Sequence, residues 1–499
     1  MARIIVNLGR PLGAVHPFVF GQFIEHMHRC IYGGVYEEGS PLSDAAGYRK
    51  DVMEAIRGLG ATILRWPGGN FVSGYHWEDG VGPKDQRPRR LELAWPTPGG
   101  TVETNRFGTD EFIQYCRLLN TEPYICINLG TGSLDEARNW VEFCNGTTDT
   151  YYANLRRRNG HPEPYNVRYW GLGNEMYGAW QQGAKTAEEY ARFAREAAKL
   201  MKGVDPSIKL IACGHDGVSD WDRAVLEVLA PYVDYHSIHI YTGSDDYYTN
   251  VFLPHQAERC IRHMSALIEG IRFRQRISHP IPIAYDEWNV WHFNRAVAEN
   301  GYQEPYNLGD ALAVATYLNI FLRMPAQVGM ANLAQTVNVL GSMITNPKGL
   351  YLQTIYHPIS LYAKHCGPVA LDSYVVAAPD EQHTLAPDAG PSAERVADLG
   401  PFGYLDVSAT HNPDARTATV CVVNRHRERA ITASLDLLDG QATRVGQVYE
   451  VNGSDPDVSN SFEHPDAVTV HEKAWQGEGS RIAYTFPAHS VTVLKFSYQ

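Results

Sequence analysis

The sequence predicts an α/β protein in which a (β/α)8 TIM barrel is followed by a C-terminal antiparallel β-sandwich of jelly-roll type. β-prone runs alternate with helical patterns over about the first three-quarters of the 499 residues, which is the order found in a parallel barrel. Beyond about residue 375, short β runs separated by turn residues replace this alternation, as in a sandwich. A doubly wound open sheet is the competing interpretation, but no glycine-rich phosphate turn follows the first strand.

The barrel prediction rests on eight short runs that are rich in β-branched or aromatic residues. We expect these strands near 17–24, 61–66, 123–129, 167–173, 208–213, 234–241, 281–286 and 328–334. Helical patterns lie between them, among others at 48–59, 109–119, 186–202, 256–273 and 308–323. Each strand is followed by a helix or an insertion, which is the repeat of a (β/α)8 barrel.

The sandwich prediction rests on a second set of short runs near the C-terminus. We expect its strands at 417–424, 431–437, 443–450, 467–470, 481–486 and 490–496. The stretch 378–400 has the composition of a loop, and an early strand at 2–7 precedes the barrel and is free to pair into the sandwich. The predicted units are therefore 1–15 (a strand joining the sandwich), 16–370 (the barrel) and 371–499 (the sandwich).

Composition excludes several classes of partner. The formal net charge of -13 argues against nucleic acid or an anionic membrane, because both bind basic surfaces. No run approaches the roughly 18 apolar residues that span a bilayer. The N-terminus lacks a hydrophobic signal segment, so we expect a cytoplasmic protein. The eight cysteines form no CxxC pair, which favours buried thiols over disulfides or zinc ligands.

Polar residues stand where nearly every predicted barrel strand ends, and in barrels the carboxyl ends of the strands carry the active site. They are Glu25-His26, Arg65 to Asn70, Asn128, Asn174-Glu175, His239 to Tyr241, Asp286 to Asn289 and Gln335. A barrel with a purely structural role would not need them. We therefore expect these side chains to converge on one polar pocket.

Glu175 and Glu287 end strands four and seven, on nearly opposite sides of the barrel mouth. Glycoside hydrolysis needs two such carboxyl groups, one protonated and one ionised, on either side of the glycosidic bond. Taken singly, Glu175 reads equally well as a helix-start carboxylate and Glu287 as a salt-bridged surface residue. As a pair they favour a glycosidase, in which an ionised Glu287 would raise the pKa of Glu175.

The other strand-end residues suit supporting roles around a sugar. We expect Glu25, Asn70 and Asn174 to bind hydroxyl groups and Arg65 to orient a carboxylate. His239 and Tyr241 are placed to hydrogen-bond the nucleophile, although His239 could equally be a satisfied core histidine. Tryptophans suited to stacking on sugar faces are Trp180, Trp288 and Trp291. The histidine spacings match no recognisable ligand motif, so we expect no metal.

Six long motifs carry a resemblance that covers essentially the whole chain. They are FGQFIEHMHRCIYGG (20–34), LRWPGGNFVSGYHWEDGVGP (64–83), GLGNEMYG (171–178), YDEWNVW (285–291), ANLAQTVNVL (331–340) and PAHSVTVLKF (487–496). With them the chain resembles the α-L-arabinofuranosidases of glycoside hydrolase family 51. The Asn-Glu ending of strand four is common to a larger superfamily of retaining barrel glycosidases, whereas the WPGGN and DEWN neighbourhoods are narrower.

The resemblance implies roles for single residues, with Glu175 as the general acid/base and Glu287 as the nucleophile. Arg65 matches an arginine near the nucleophile and Trp180 an aromatic residue beside the sugar. The positions that match arabinofuranose-binding residues are Glu25, Asn70, Asn174, Tyr241 and Gln335. It further implies a barrel-plus-sandwich fold, no cofactor, and an intracellular, often hexameric enzyme.

The activity implied is exo-acting release, with retention, of terminal α-L-arabinofuranosyl residues from oligosaccharides derived from arabinan and arabinoxylan. The outer loops 84–106 and 292–306 are where relatives differ, so they bear on the aglycone. Three alternatives stay open at this point: a β-xylosidase or endo-glucanase on the same scaffold, a metal-dependent hydrolase, and a non-catalytic carbohydrate-binding protein.

Overall fold

The computed structural model describes residues 2–97, 100–386 and 390–499. Its strands are β1 (Ala2–Ala14), β2 (Gly21–Phe23), β3 (Ile63–Trp66), β4 (Arg90–Glu92), β5 (Thr101–Glu103), β6 (Glu122–Cys126), β7 (Tyr169–Leu172), β8 (Lys209–Ala212), β9 (Tyr235–Thr242), β10 (Ile283–Val290), β11 (Val328–Ala334), β12 (Met343–Asn346), β13 (Gly349–Leu352), β14 (Val369–Val376), β15 (Gln382–His383), β16 (Phe402–Gly403), β17 (Leu405–Asn412), β18 (Thr417–Asn424), β19 (Ile431–Leu438), β20 (Ala442–Asn452), β21 (Thr469–Trp475), β22 (Arg481–Phe486) and β23 (Ser490–Tyr498).

Eleven α-helices lie in the described residues. They are α1 (Lys50–Gly58), α2 (Thr109–Leu119), α3 (Leu134–Asn145), α4 (Tyr151–Arg158), α5 (Ala187–Val204), α6 (Asp220–Leu229), α7 (Tyr247–Phe252), α8 (His255–Gln275), α9 (Leu308–Arg323), α10 (Tyr356–His365) and α11 (Pro391–Glu394). Short 3-10 turns occur at Pro17–Phe20, Asn70–Gly74, Trp77–Gly80, Lys84–Gln86, Ala298–Asn300, Pro379–Glu381 and Ala397–Leu399. None of the helices among these residues is long and apolar enough to cross a membrane.

Eight parallel strands close into the predicted barrel, in the order β10-β11-β2-β3-β6-β7-β8-β9. The structure shortens the first of them most, because 17–20 is a 3-10 turn and the strand begins at Gly21. His16 Nδ1 caps this turn by accepting a hydrogen bond from the Phe18 N–H, and Pro17 suits its first position. Phe18 packs with Ile63 and Tyr124 and so fills the barrel interior.

Helix α9 is buried along nearly its whole length, from Leu308 to Leu322, because it lies between the barrel and the C-terminal sheet. On one side Tyr317 and Phe321 pack against Trp288 of β10. On the other side Asn319 accepts a hydrogen bond from Ser408 of β17. A helix that is apolar around its circumference is expected in such a position. The barrel and the sheet therefore share one continuous core.

The C-terminal part is one nine-stranded sheet in the order β21-β20-β23-β18-β17-β14-β1-β19-β22. Trp475 of β21 and Tyr484 of β22 come from opposite ends of this order, yet their ring centroids are 6.3 Å apart. The sheet therefore curls over on itself and packs as a sandwich around a shared core. Its pairs are antiparallel except that of β1 with β19, which is parallel.

The sequence interpretation overlooked several elements. They are β14 and β17, the hairpins β4–β5 and β12–β13, and the helices α3, α4, α6, α7 and α10. The stretch 378–400, interpreted as a loop, contains short turns, one helical turn and β15, and its residues 387–389 lie outside the described residues. All eight cysteines are free thiols, and seven of them are buried.

Candidate active site

A cavity of about 650 Å³ opens at the carboxyl ends of the barrel strands, in the size range of small-molecule sites. Eight of the sequence-predicted residues line it: Glu25, Asn70, Glu175, Trp180, Tyr241, Glu287, Trp291 and Gln335. Arg65, Asn174 and His239 are buried directly behind this wall and contact the two central glutamates or one another. The convergence predicted from the strand ends is thus present in the structure.

A β-bulge in β10 turns two consecutive acidic residues into the barrel. The four residues of β10 from Ala284 to Glu287 lie opposite three residues of β9, from Ser237 to His239, and such an extra residue reverses the normal alternation of side chains. Asp286 and Glu287 therefore both face inward. Tyr285 and Trp288 on either side point outward and pack against Phe321. Trp288 consequently belongs to the core, and its predicted role in stacking on a sugar is wrong.

Glu287 is held from both sides by strong donors. Its Oε1 accepts a hydrogen bond of 2.7 Å from Arg65 Nη1, and its Oε2 accepts one of 2.7 Å from the Tyr241 hydroxyl. Charge-assisted bonds of this kind fix a carboxylate in one orientation. A carboxylate oriented in this way at the barrel mouth is what a nucleophile requires.

Arg65 links the two sides of the site. Its Nη2 donates to Asn174 Oδ1 at 2.5 Å, and its Nε lies 3.6 Å from Asp286 Oδ2. Burial disfavours the charge of Arg65, but Asp286 and Glu287 outweigh this and raise its pKa well above the usual value. A permanently charged guanidinium thus sets the position of Glu287 and of the amide of Asn174.

Glu175 follows β7 in a left-handed backbone conformation, with φ of 44°. This conformation is uncommon outside glycine and is concentrated at functional sites. Its Oε1 lies 2.9 Å from His239 Nδ1, and its Oε2 accepts a hydrogen bond of 3.1 Å from Trp180 Nε1. Trp180 itself is largely exposed at the cavity rim. Glu175 is therefore aimed into the cavity by a buried partner and a rim partner.

His239 lies between two carboxylates, with Nδ1 on Glu175 and Nε2 at 3.1 Å from Asp286 Oδ1. Burial lowers its pKa, but the charges of Glu287 and Asp286 and the two hydrogen bonds raise it to about 10. For Glu175 the effects have the opposite signs. Burial raises its pKa, but the hydrogen bond and charge of His239 bring the pKa below its usual value. The expectation of a raised pKa at Glu175 is therefore wrong, because the adjacent His239 outweighs the effects that raise it.

Asp286 supports this arrangement from behind and is a residue to which the sequence interpretation gave no role. Its Oδ2 accepts a hydrogen bond of 2.7 Å from the Tyr124 hydroxyl. Burial raises its pKa, but Arg65 and His239 lower it to about 2, so it stays ionised. Two adjacent acidic residues inside an otherwise apolar strand were the available signal, because strict alternation would have placed one of them in the core.

The two central carboxyl groups are close together. One oxygen each of Glu175 and Glu287 and one ring nitrogen of His239 all lie within 4.8 Å of one another. Three such groups can hold a metal ion in principle. Here both nitrogens of His239 are engaged by carboxylates, and a charged imidazolium is not a metal ligand. The chemistry of the donors is that of an ion-pair network.

Glu25 and Gln335 form a second polar group in the cavity wall. Glu25 accepts hydrogen bonds from the Phe71 N–H and Trp95 Nε1, each 2.9 Å, and from Gln335 Nε2 at 2.8 Å. Burial raises the pKa of Glu25 to about 7 despite these donors. Trp95, from the outer loop 84–106, was missed because nothing in the sequence pattern of that loop connects it to Glu25.

Free hydrogen-bonding capacity remains in the site. Asn174 Nδ2 and Gln335 Oε1 are buried and have no protein partner in the described part of the chain. A Cβ at Gly69 would lie 3.1 Å from Glu287 Oε1, 3.2 Å from Glu25 Oε2 and 3.5 Å from Asn174 Nδ2. Glycine at position 69 thus keeps open the space into which these groups point. Buried polar atoms of this kind need partners, and sugar hydroxyl groups would supply them.

Aromatic side chains form the outer part of the cavity. Trp291 and Phe293 contact each other with centroids 4.5 Å apart, and Trp95 contacts Tyr302 at 5.5 Å. All four line the cavity together with Trp180. Trp291 therefore lies in the cavity, where the predicted stacking on a sugar would take place. Tyr302 and Phe293 were missed because the loop that carries them has no regular period.

His26 and Asn128 are two of the strand-end residues that do not reach the cavity. His26 is buried between Glu103 and Trp66, with Nδ1 2.9 Å from Glu103 and Nε2 accepting from Trp66 Nε1 at 3.0 Å. Asn128 closes a turn by accepting from the N–H groups of Gly130 and Thr131. Both are structural.

Family models match two long parts of the chain. An α-L-arabinofuranosidase 1 domain covers residues 55–259, and an α-L-arabinofuranosidase C-terminal domain covers residues 286–490. A protein of Aspergillus clavatus named probable α-L-arabinofuranosidase C is 46% identical over 99% of this chain and 97% of its own length. An intracellular exo-α-(1->5)-L-arabinofuranosidase of Halalkalibacterium halodurans is 38% identical over 87% of both chains.

Solved structures give the same result for the fold and the site scaffold. The thermostable GH51 α-L-arabinofuranosidase from Thermotoga petrophila superposes with a TM-score of 0.88 at 41% identity, over 99% of this chain and 100% of that chain. The similarity covers the barrel and the sandwich alike.

Proposed function

The chain belongs to the α-L-arabinofuranosidases of glycoside hydrolase family 51, and on this premise we propose that it cleaves by double displacement with retention, using Glu175 and Glu287. It is a glycoside hydrolase that releases arabinofuranosyl residues. The β-xylosidase, endo-glucanase and carbohydrate-binding alternatives are not favoured. The residue roles and the stereochemistry are the proposal.

The observation that carries the proposal is the short distance between the two carboxyl groups. Oxygens of Glu175 and Glu287 lie within 4.8 Å. Retaining enzymes separate their carboxyl groups by about 5–5.5 Å, whereas inverting enzymes need about 6.5–9.5 Å to admit a water molecule. The shorter distance favours direct attack by one carboxylate on the anomeric carbon.

In the first step Glu287 attacks the anomeric carbon and the glycosidic bond breaks. Arg65 and Tyr241 hold the attacking carboxylate in place through Oε1 and Oε2. Glu175 supplies the proton that the leaving oxygen takes up. In the free enzyme this proton is shared with His239, and enclosure by the substrate raises the pKa of Glu175 by removing water, which moves the proton to the carboxyl group.

In the second step water cleaves the glycosyl-enzyme bond. Glu287 has lost its negative charge by then, and that charge is the first of the causes that raise the pKa of His239. With it gone, both His239 and Glu175 bind protons less tightly. Glu175 then accepts a proton from the attacking water, and free Glu287 is restored.

We propose that the substrate is a terminal α-L-arabinofuranosyl unit on oligosaccharides derived from arabinan or arabinoxylan. Asn174 Nδ2 and Gln335 Oε1 point unpaired into the site, and Glu25 and Asn70 line it, so several hydroxyl groups of one sugar ring can be bound at once. The exo mode is supported by the printed name of the Halalkalibacterium halodurans relative.

The test is the anomer released first. Proton NMR during hydrolysis of an aryl α-L-arabinofuranoside is expected to show the α-anomer before mutarotation. Initial appearance of the β-anomer would refute retention. An aryl β-D-xyloside in the same assay is expected to react at least 100-fold more slowly, and a faster reaction would refute the sugar preference.

We also propose an intracellular, hexameric enzyme. The word intracellular in the name of the Halalkalibacterium halodurans relative supports the first point, and the resemblance to family 51 supports the second. Light scattering is expected to give six times the 55.7 kDa of one chain. A mass equal to one chain at micromolar concentration would refute the assembly, and fractionation of the source cells would test the location.

A further inference from the structure

A second large cavity, of about 600 Å³, lies between the barrel and the sandwich. The first turns of α8, the end of α9, strands β14 and β17 and the residue after β18 surround it. None of the residues that line it also lines the catalytic cavity. We refer to it as the interdomain cavity.

The interdomain cavity carries an excess of positive charge, although the chain as a whole has a net charge of -13. Four arginines line it, against two carboxylates: Arg259, Arg262, Arg323 and Arg425, with Glu258 and Asp406. Burial raises the pKa of Asp406, but Arg323 and Arg425 lower it below the usual value. The negative groups are therefore ionised and already counted in this excess.

Three of the four arginines are paired. Their partners are Asp398 for Arg259 (2.5 Å), Glu258 for Arg262 (2.6 Å) and Asp406 for Arg323 (3.0 Å). Arg425 differs, because no carboxylate of the described residues lies within ion-pairing distance of it. Arg425 is also the most deeply buried of the four arginines, with 2% of its surface exposed.

The guanidinium of Arg425 is held rigidly. Its Nη1 donates to His255 Nε2 at 2.9 Å, its Nη2 donates to the Gly403 carbonyl at 2.7 Å, and its Cζ lies 4.6 Å from the centroid of the Phe252 ring. Its Nε–H has no protein partner in the described part of the chain. Burial lowers its pKa to about 10, so it keeps its charge at neutral pH.

A fixed, buried and unpaired charge raises the free energy of the folded protein, and a bound anion would lower it again. The hydroxyl of Ser373, on β14, is a second buried group without a protein partner in the described residues, and it lines the same cavity. Guanidinium and hydroxyl donors together are the usual ligands of carboxylate and phosphate groups.

We propose that the interdomain cavity binds a small organic molecule through a carboxylate or phosphate group held by Arg425 and Ser373. The cavity is far larger than a single inorganic anion. Leu399 and Phe402 supply apolar surface for the rest of the molecule. Binding there is independent of the glycosidase reaction, since the two cavities share no residue.

Isothermal titration calorimetry of the full chain tests this proposal with four probes. D-glucuronate represents the carboxylates, glucose 6-phosphate the phosphate esters, inorganic phosphate the bare anion and D-glucose the uncharged control. We expect saturable binding of at least one of the two charged sugars and none of D-glucose. Which charged sugar binds distinguishes the two sources of the anion.

Variants locate the site. Arg425→Gln is expected to weaken binding at least 10-fold and Ser373→Ala about 3-fold. The matched control is Arg427→Gln, because Arg427 lies two residues further on and pairs with Asp457 without lining the cavity. All three variants are expected to hydrolyse an aryl α-L-arabinofuranoside as the unchanged chain does, which reports on folding.

Three results would overturn the proposal. The first is no binding of either charged sugar to the unchanged chain, including the case in which only inorganic phosphate binds. The second is unchanged affinity in an active Arg425→Gln variant. The third result applies if Arg425→Gln does not fold: it is unchanged affinity for the charged sugar in the Ser373→Ala variant.

Discussion

His239 Nδ1 lies 2.9 Å from Glu175 Oε1, so a charged imidazole and the proposed acid/base share one proton in the free enzyme. Asp286 on the far side of the ring and Glu287 nearby keep His239 charged. The proposed acid therefore depends on three neighbours, each of which a substitution can probe.

Replacing Glu287 by alanine is expected to lower kcat on an aryl α-L-arabinofuranoside at least 10⁴-fold, because the nucleophile is removed. The space left is open to a small anion. Sodium azide is therefore expected to restore turnover and to give the β-arabinofuranosyl azide, since a single displacement inverts the anomeric centre. Azide rescue that gave the α-azide would contradict the nucleophile assignment.

Replacing Glu175 by alanine is expected to affect substrates according to their leaving group. General acid assistance contributes about 10²–10⁴-fold, and an activated aryl group needs little of it. We expect kcat/KM to fall at least 100-fold for an arabino-oligosaccharide and less than 10-fold for a 2,4-dinitrophenyl glycoside. Equal losses on both substrates would show that Glu175 is not the acid.

Replacing Asp286 by asparagine is expected to shift the alkaline limb of the kcat/KM profile to lower pH. Asp286 raises the pKa of His239 through a hydrogen bond and its charge, and loss of an adjacent opposite charge moves a pKa by roughly 1–3 units. Tyr124→Phe is the matched control, since it removes one hydrogen bond to Asp286 and leaves the charge. If the alkaline limb of Asp286→Asn stayed at the same pH, Asp286 would have only a structural role.

Glu25 is expected to make the stability of the protein depend on pH. Its pKa is about 7 in the folded chain against 4.5 ordinarily, so the folded state binds more protons between these values and stability falls as pH rises through them. Replacing Glu25 by glutamine removes this dependence, which corresponds to about 3 kcal/mol.

Calorimetric melting at pH 4.5, 6 and 8 checks this. The Tm of Glu25→Gln, relative to the unchanged chain, is expected to be higher at pH 8 than at pH 4.5. The exposed Glu188→Gln variant is the control and is expected to show a constant difference. A constant difference for Glu25→Gln as well would contradict the raised pKa.

Much of the fold could be predicted from local pattern. Strands such as 328–334 and 417–424 and the helices 109–119 and 308–323 are found at the predicted bounds, because period and turn residues mark them directly. β14 and β17 could not be found in this way. Both have polar residues such as Asp372 and Ser408 at positions that the sheet and α9 bury or pair, so their hydrophobic period is interrupted.

The part of the candidate site that could be predicted follows from one rule: the carboxyl ends of barrel strands meet at one end of the barrel. That rule brought Glu175 and Glu287 together with Tyr241 and Gln335. It could not foresee the β10 bulge, which adds Asp286 to the network and sends Trp288 to the core. Nor could it place Trp95, because the contact with Glu25 spans 70 residues and depends on the course of an irregular loop.

The position of β1 has a consequence for biosynthesis. Residues 2–14 pair with β14 and β19, so more than 350 residues separate the strand from its first partner. At a ribosome speed of about 5–20 residues per second, β1 waits roughly 20–70 s with its edges unpaired while the barrel emerges. During that interval the nascent chain presents an apolar strand, including Ile4 and Val6, to chaperones and to other nascent chains.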